Sequence, residues 1–235
     1  MSDNPHLTQT ASDSPRASDT GPTPAKSRGG HDEPQIIGRL AGVNLEVAKG
    51  SILNFSADAI VCPANAFLQM RGGVSALLRE KAGSQDQLEK DAITLGPIRV
   101  GDAVLTKGYA LSARFVIHAP TVEMPVDRSS PQTVRLAMAA ALRVASRHSI
   151  RTLATPALGT GTGGISYREA AELMLRETYL HLSSGEATLK RIVFVAWEPE
   201  FSEALFRAPF PPAVERLPPP SGASAPEAHV LNWVE

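Results

Sequence analysis

Short apolar segments alternate with segments of helical periodicity between residues 43 and 206, and this alternation limits the folds open to the chain more than any other feature. The segments with strand character are residues 43–47, 57–62, 114–118, 152–155 and 192–197. The first alternates apolar with polar residues and is predicted to be a half-buried strand, whereas the others are almost continuously apolar. The clearest helix spans residues 130–148. Together they predict an α/β domain whose largely parallel sheet is covered by helices on both faces.

The two ends of the chain differ in composition from this central part. Residues 1–35 are rich in Ser, Thr, Pro, Asp and Gly and are predicted to be a disordered tail. The domain is expected to span residues 43–206, and the Pro-rich residues 209–235 are expected to be flexible. Residues 229–234 are more apolar, either as a short docking motif or as a segment packed loosely on the domain surface.

Composition excludes several classes of function. The formal net charge is -1, from 23 basic and 24 acidic residues, so no broad nucleic-acid or membrane-binding surface is expected. The single cysteine, Cys62, excludes an internal disulfide framework, and the scattered histidines show no zinc-ligand spacing. Neither a metal nor a cofactor is therefore expected. No secretory signal or apolar run of about 18 residues occurs, which favours a cytoplasmic protein.

A loop with four glycines follows the predicted strand at residues 152–155 and has the sequence PALGTGTGG over residues 156–164. Glycines allow the backbone to approach a ligand closely, so that successive N–H groups can bind an anion. The next helix is predicted to begin at Ser166, with Glu169 completing a capping box, and its N-terminus adds a positive dipole end. A merely flexible connection is the alternative, but it rarely needs so many glycines.

A second loop, residues 65–74 with the sequence NAFLQMRGGV, also joins a predicted strand to a helix. With Gly72 and Gly73 at its start, the following helix can also bind an anion through its first backbone N–H groups. Asn65 could offer its amide to a ribose hydroxyl, or it could only tie the loop backbone. Arg71 could contact a phosphate, or it could be a solvated loop residue. Two such loops at neighbouring strand ends would hold a diphosphate from both sides.

Two other nucleotide motifs fit less well. Gly159, Gly161 and Gly164 satisfy a dinucleotide-binding pattern, but a Rossmann domain needs further strand–helix units after it, and here only one strand and one short helix follow. A P-loop is excluded because no Lys-Ser or Lys-Thr follows the glycines.

In order and spacing, residues 50–52 (GSI), 57–65 (ADAIVCPAN), 72–74 (GGV) and 156–164 resemble the macro domain family. The resemblance implies a three-layer α/β/α fold around a mixed, largely parallel sheet. It also implies binding of ADP-ribose or ADP-ribosylated proteins, and some members hydrolyse ADP-ribosyl esters or ADP-ribose 1″-phosphate. The ligand-binding residues it implies here are Ser51, Ile52, Asn65, Gly72, Gly73, Val74, Gly159, Thr160, Gly161, Thr162, Gly163, Gly164 and Trp197.

Several of these positions depart from the family pattern. Ser51 replaces the usual aspartate that accepts from the adenine amino group, and Ser75 replaces an aspartate common in hydrolytic members. Gly163 occupies a position that often carries an aromatic residue over the distal ribose, while Trp197 matches an aromatic position beside the adenine. These departures favour a binding module. A hydrolase, with Asn65 as its one candidate catalytic residue, and a scaffold with a decayed nucleotide site stay as alternatives.

Two further residues have side chains that are capable of catalytic chemistry. Cys62 lies near the predicted site and could be a nucleophile, and His118 ends a predicted strand and could act as a base or contact a ligand. The structural interpretation, a small core thiol and a satisfied buried histidine, is favoured for both residues.

Overall fold

The computed structural model describes residues 33–185, 187–210 and 214–216, in which eight strands form one mixed sheet. The strands are β1 (Gln35–Leu40), β2 (Val43–Lys49), β3 (Ala59–Asn65), β4 (Val104–Lys107), β5 (Phe115–Val122), β6 (Thr152–Thr155), β7 (Arg191–Ala196) and β8 (Glu215–Arg216). Their order across the sheet is β4-β5-β3-β6-β7-β2-β1-β8. The five strands from β5 to β2 in this order are parallel, and the outer strands pair antiparallel.

Helices cover both faces of this sheet. They are α1 (Gly73–Ala82), α2 (Gln87–Thr94), α3 (Pro131–Arg147), α4 (Tyr167–Ser183) and α5 (Pro199–Arg207). One apolar core includes residues of α3, α4 and α5, and a second includes residues of α1 and α2 on the other face. The predicted α/β/α fold with a mixed, largely parallel sheet is therefore confirmed.

The two long helices begin where their capping residues predict. At α3, the Ser130 Oγ accepts from the Thr133 N–H at 3.1 Å, the Thr133 Oγ1 accepts from the Ser130 N–H at 2.9 Å, and Pro131 takes the first helical position. At α4, the Ser166 Oγ accepts from the Glu169 N–H at 3.2 Å. Both helix starts lie at the sheet edge where the parallel strands end, so these caps fix the backbone beside the predicted site.

Additional strands extend the sheet beyond the predicted domain boundaries. β1 begins at Gln35 rather than at Val43 and pairs with β2, and β8 lies within the Pro-rich segment that was expected to be flexible. The fold therefore starts earlier and ends later than residues 43–206. The rest of the expected tails, residues 1–32, 211–213 and 217–235 with the apolar residues 229–234, lies outside the described residues.

The prediction that β2 is half-buried is wrong, because both of its faces are covered. Glu46 is only 4% exposed, although apolar and polar residues alternate along β2 as they do in a strand with one solvated face. The Arg191 side chain on β7 compensates the charge by donating from Nε to the Glu46 Oε1 at 3.0 Å and from Nη2 to Oε2 at 2.7 Å. This two-bond ion pair joins the neighbouring strands β2 and β7.

Candidate functional site

A cavity of about 610 Å³ opens at the carboxyl ends of the parallel strands. Residues at the ends of β2, β3, β5, β6 and β7 line it, as expected for a ligand site in an open α/β sheet. The volume lies within the range of roughly 300–1,000 Å³ that is usual for small-molecule sites. Both glycine-rich loops contribute to its wall.

The first loop joins β3 to α1. Gly72 is the N-cap of α1 and offers no side chain to the N–H groups of the first turn, and Gly73 has a φ of 54°, in the left-handed region. Gly72, Gly73, Val74 and Ser75 all line the cavity. The uncapped first turn of a ten-residue helix therefore lies at the cavity wall, where its N–H groups can bind an anion.

Asn65 organises this first loop. Its Oδ1 accepts from the Phe67 N–H at 3.0 Å, and its Nδ2 donates to the Gln69 carbonyl at 2.9 Å. Of the two roles considered for Asn65, tying the loop backbone is thus the one seen in the structure. The side chain also lines the cavity, and its Nδ2 has a second N–H beyond the bond to Gln69.

The second loop joins β6 to α4, and residues 159–163 line the cavity. Among the described residues, no acceptor pairs with the backbone N–H groups of residues 160–163. The loop is closed by two bonds at its base, from the Gly164 N–H to the Gly161 carbonyl and from the Ile165 N–H to the Gly159 carbonyl. A run of unpaired N–H groups on a closed glycine loop is typical of an anion site.

The segment before α3 braces this second loop. The Ser129 N–H donates to the Gly163 carbonyl at 3.0 Å. A Cβ on Gly163 would lie 2.4 Å from the Ser129 Oγ, and one on Gly159 would lie 2.5 Å from the Val134 Cγ2. An aromatic side chain, as many family members have at the position of Gly163, therefore does not fit this packing. Gly161 differs, because nothing lies within 4 Å of a Cβ placed there.

The opposite end of the cavity is apolar and aromatic. Trp197 follows β7 and is 73% exposed, so most of its indole is free to stack on a planar ligand. The ring of Tyr167 packs against that of Phe201, with centroids 6.2 Å apart. Ser51 and Ile52 follow β2 at the same end, and the Ser51 Oγ accepts from the Leu53 N–H at 3.3 Å.

The structure brings nearly all of the predicted site residues together. Twelve of the thirteen line the cavity, and Gly164 is the exception; its φ of 78° serves the turn into α4 instead. Several residues that were not predicted from the sequence also line the cavity, namely Leu53, Gln69, Ser129, Tyr167, Glu198 and Phe201. Tyr167 and Glu198 could have been found from their places beside the second loop and beside Trp197.

Two charged residues of the described chain line the cavity, one at each end. Arg71 lies on the first loop and Glu198 lies after β7. Burial raises the pKa of the Tyr167 hydroxyl, and the negative charges of Glu198 and Glu200 raise it further. A side-chain hydrogen bond with Thr160 acts in the opposite direction, but the pKa stays raised, so Tyr167 is a neutral hydroxyl near neutral pH.

Cys62 and His118 lie in the sheet and not at the cavity. Burial raises the pKa of the Cys62 thiol to about 12, which excludes a thiolate nucleophile near neutral pH. Burial lowers the pKa of His118 to about 4, and its Nε2 lies 2.8 Å from the Thr106 Oγ1. The geometry supports the structural interpretation of Cys62 as a small core thiol. His118 is likewise a buried structural residue, but it is only partly satisfied, because its Nδ1 has no hydrogen-bond partner among the described residues.

Among the described residues, no group of three or more His, Cys, Asp or Glu side chains is arranged to hold a metal ion. Nor does that part of the chain contain a helix both long and apolar enough to cross a membrane.

Comparison with known proteins agrees with this geometry. The model of the macro domain family matches residues 61–174. An uncharacterized protein of Aquifex aeolicus is 38% identical over 162 residues, which make up 69% of this chain and 95% of that protein.

Solved structures show the same fold. The Trypanosoma brucei macrodomain in complex with ADP-ribose is 26% identical, with a TM-score of 0.62 over 69% of this chain and 67% of that one. The Oceanobacillus iheyensis macrodomain with ADP is 20% identical, with a TM-score of 0.63 over 74% of this chain and 94% of that one. Together with the family model and the Aquifex relative, these matches show that the chain belongs to the macro domain family.

Proposed function

We propose that this macro domain binds ADP-ribose, free or attached to a protein, with the diphosphate between its two glycine-rich loops. The observation that carries the proposal is that two loops with unpaired or uncapped backbone N–H groups line one cavity. Such N–H groups bind phosphate oxygens without a lysine, which suits a chain of net charge -1. The Trypanosoma brucei macrodomain, which is similar to this chain, forms a complex with ADP-ribose, and this supports the proposal.

The order of the strands supports an extended ligand. β3, β6, β7 and β2 are neighbours in that order, so the residues at their ends follow one another along the sheet edge. With about 4.8 Å between strands, the ends of β3 and β2 lie about 14 Å apart. A ligand along this edge would have a polar end at Asn65, an anionic middle at residues 159–163 and a planar end at Trp197.

We expect ADP-ribose to bind about tenfold more tightly than AMP, or better. One additional hydrogen bond to a charged phosphate contributes roughly 1.5–3 kcal/mol, and each 1.4 kcal/mol of binding free energy changes the dissociation constant about tenfold. AMP lacks both the second phosphate and the distal ribose. Calorimetric titration of the full chain with ADP-ribose, AMP, NAD and ATP measures this. No detectable heat with ADP-ribose at high micromolar protein would contradict the proposed function.

We expect hydrolysis of ADP-ribosyl esters to be slow or absent. Ser75 has no carboxylate to accept a proton, and its Oγ donates to the Gly72 carbonyl at 2.7 Å within the loop. The release of ADP-ribose from an ester-linked ADP-ribosylated protein, compared with release in buffer alone, measures the rate. Rapid turnover that persists in Asn65→Ala would mean that another group catalyses the reaction and that the chain is an enzyme.

A further inference from the structure

The cavity end formed by β2 and β7 has the composition of a site for a planar base, and we refer to it as the base end. Its residues are Ser51, Ile52, Leu53, Tyr167, Val195, Trp197, Glu198 and Phe201. The large exposed indole of Trp197 provides a stacking surface, and the neighbouring residues are mostly apolar or aromatic. A base placed there needs polar partners at its edge to be distinguished from other bases.

Glu198 is the acidic residue at this end and, within the described part of the chain, the single acidic residue that lines the cavity. It is the N-cap of α5, but its side chain makes no capping bond. None of the ion pairs or side-chain hydrogen bonds of the described chain engages its carboxylate. The carboxylate is therefore available to a ligand.

Backbone pairing keeps Glu198 close to Ser51. Lys49 and Ala196 are partners in the β2–β7 ladder, and the Gly50 N–H donates to the Ala196 carbonyl at 2.9 Å. The segments that carry Ser51 and Glu198 thus leave the sheet side by side. The Ser51 Oγ already accepts from the Leu53 N–H, which makes it a weaker acceptor for a ligand than a free carboxylate.

We propose that Glu198 determines base selectivity: its carboxylate accepts a hydrogen bond from an exocyclic amino group of a base stacked on Trp197. A carboxylate only accepts hydrogen bonds, so it favours an amino group and repels an oxygen at the same position. The base end therefore selects a purine with an amino group over one with a carbonyl oxygen. This inference rests on the proposed function, because it assumes that the nucleotide occupies this cavity.

The test compares ADP-ribose with its hypoxanthine counterpart, inosine diphosphate ribose, which has an oxygen in place of the amino group. Wild type should prefer ADP-ribose by about tenfold, the factor expected for one hydrogen bond to a charged acceptor. Glu198→Gln should reduce this preference to about twofold or less, because a glutamine amide can both donate and accept. Both ligands carry the same diphosphate, so any change in its repulsion by residue 198 affects both dissociation constants equally and leaves their ratio unchanged.

Two further variants sharpen the comparison. Glu200→Gln removes the same charge from a nearby exposed residue that does not line the cavity, and it should keep the wild-type preference. Ser51→Asp should tighten ADP-ribose and should restore the preference in the Glu198→Gln background, because the new carboxylate emerges beside residue 198. Measurable binding of either nucleotide by Glu198→Gln shows that this variant still folds.

The outcomes separate the two claims. If wild type binds ADP-ribose but does not distinguish it from inosine diphosphate ribose, or if Glu198→Gln keeps the preference, the inference is overturned and the proposed function stands. If wild type binds neither ligand, both are overturned. Loss of the preference in Glu198→Gln but not in Glu200→Gln, with restoration by Ser51→Asp, supports the inference.

Discussion

Gly161→Glu is expected to abolish ADP-ribose binding while the domain stays folded. Gly161 is exposed, lies outside the left-handed region and has no atom within 4 Å of a Cβ placed there, so a side chain is tolerated. A carboxylate on this loop would lie about 4–5 Å from the diphosphate, where like charges repel by roughly 3–4 kcal/mol at an effective dielectric of about 20. The dissociation constant should therefore rise by more than about 100-fold.

Two control variants test whether the loss of affinity comes from a negative charge in the second loop, rather than from the added side chain or from the change in net charge. Gly161→Ala adds a side chain without charge and should change the affinity only a few-fold. Ser112→Glu adds the same charge at an exposed residue before β5, at the end of the sheet opposite the cavity, and should bind as wild type does. Calorimetry and thermal unfolding of all three variants give the comparison. Full affinity in Gly161→Glu would show that the second loop is not the site.

Arg191→Met is expected to lower the free energy of unfolding by about 2–3 kcal/mol, because it leaves the carboxylate of Glu46 without its ionic partner in a buried position. The Glu46 side chain is 5% exposed and the Arg191 side chain is 40% exposed, so the carboxylate cannot recover its hydration without distorting β2. For a domain of this size, the loss corresponds to a melting temperature about 4–12 °C lower.

Arg168→Met is the matched control, because it removes an arginine from an exposed pair with Glu172 on α4. That pair contributes at most about 0.5 kcal/mol, so its loss should barely change the melting temperature. A double variant, Arg191→Met with Glu46→Leu, should regain part of the lost stability, since no buried charge is left without a partner. Equal melting temperatures for Arg191→Met and Arg168→Met would show that the buried pair does not stabilise the sheet.

The central strands and the long helices could be predicted because their signals are local. The strand predicted at residues 152–155 coincides with β6, and Ser130 and Ser166 cap α3 and α4 as their sequence contexts indicate. β1 and β8 could not be predicted in this way, because each depends on a partner strand distant in sequence. Glu46 misled the burial prediction for the same reason, since its partner Arg191 is 145 residues away.

The residues of the candidate site also differ in whether their signal is local in the sequence. The glycine loops were visible because glycine at helix starts and strand ends has a direct backbone consequence, as Gly73 and Gly159 show with positive φ. Phe201 and Ser129 were missed because their proximity to the cavity depends on how α5 and the segment before α3 pack. The role of Asn65 in tying its own loop was weighed from sequence, but only the geometry distinguished it.

A crystal structure of the full chain grown with ADP-ribose would show directly whether both loops bind the diphosphate. We expect phosphate oxygens within about 3.2 Å of backbone N–H groups from both loops, at the start of α1 and in residues 160–163. We also expect the base against Trp197 and the distal ribose beside Asn65. A diphosphate bound away from both loops, or ADP-ribose bound outside this cavity, would contradict the proposed function.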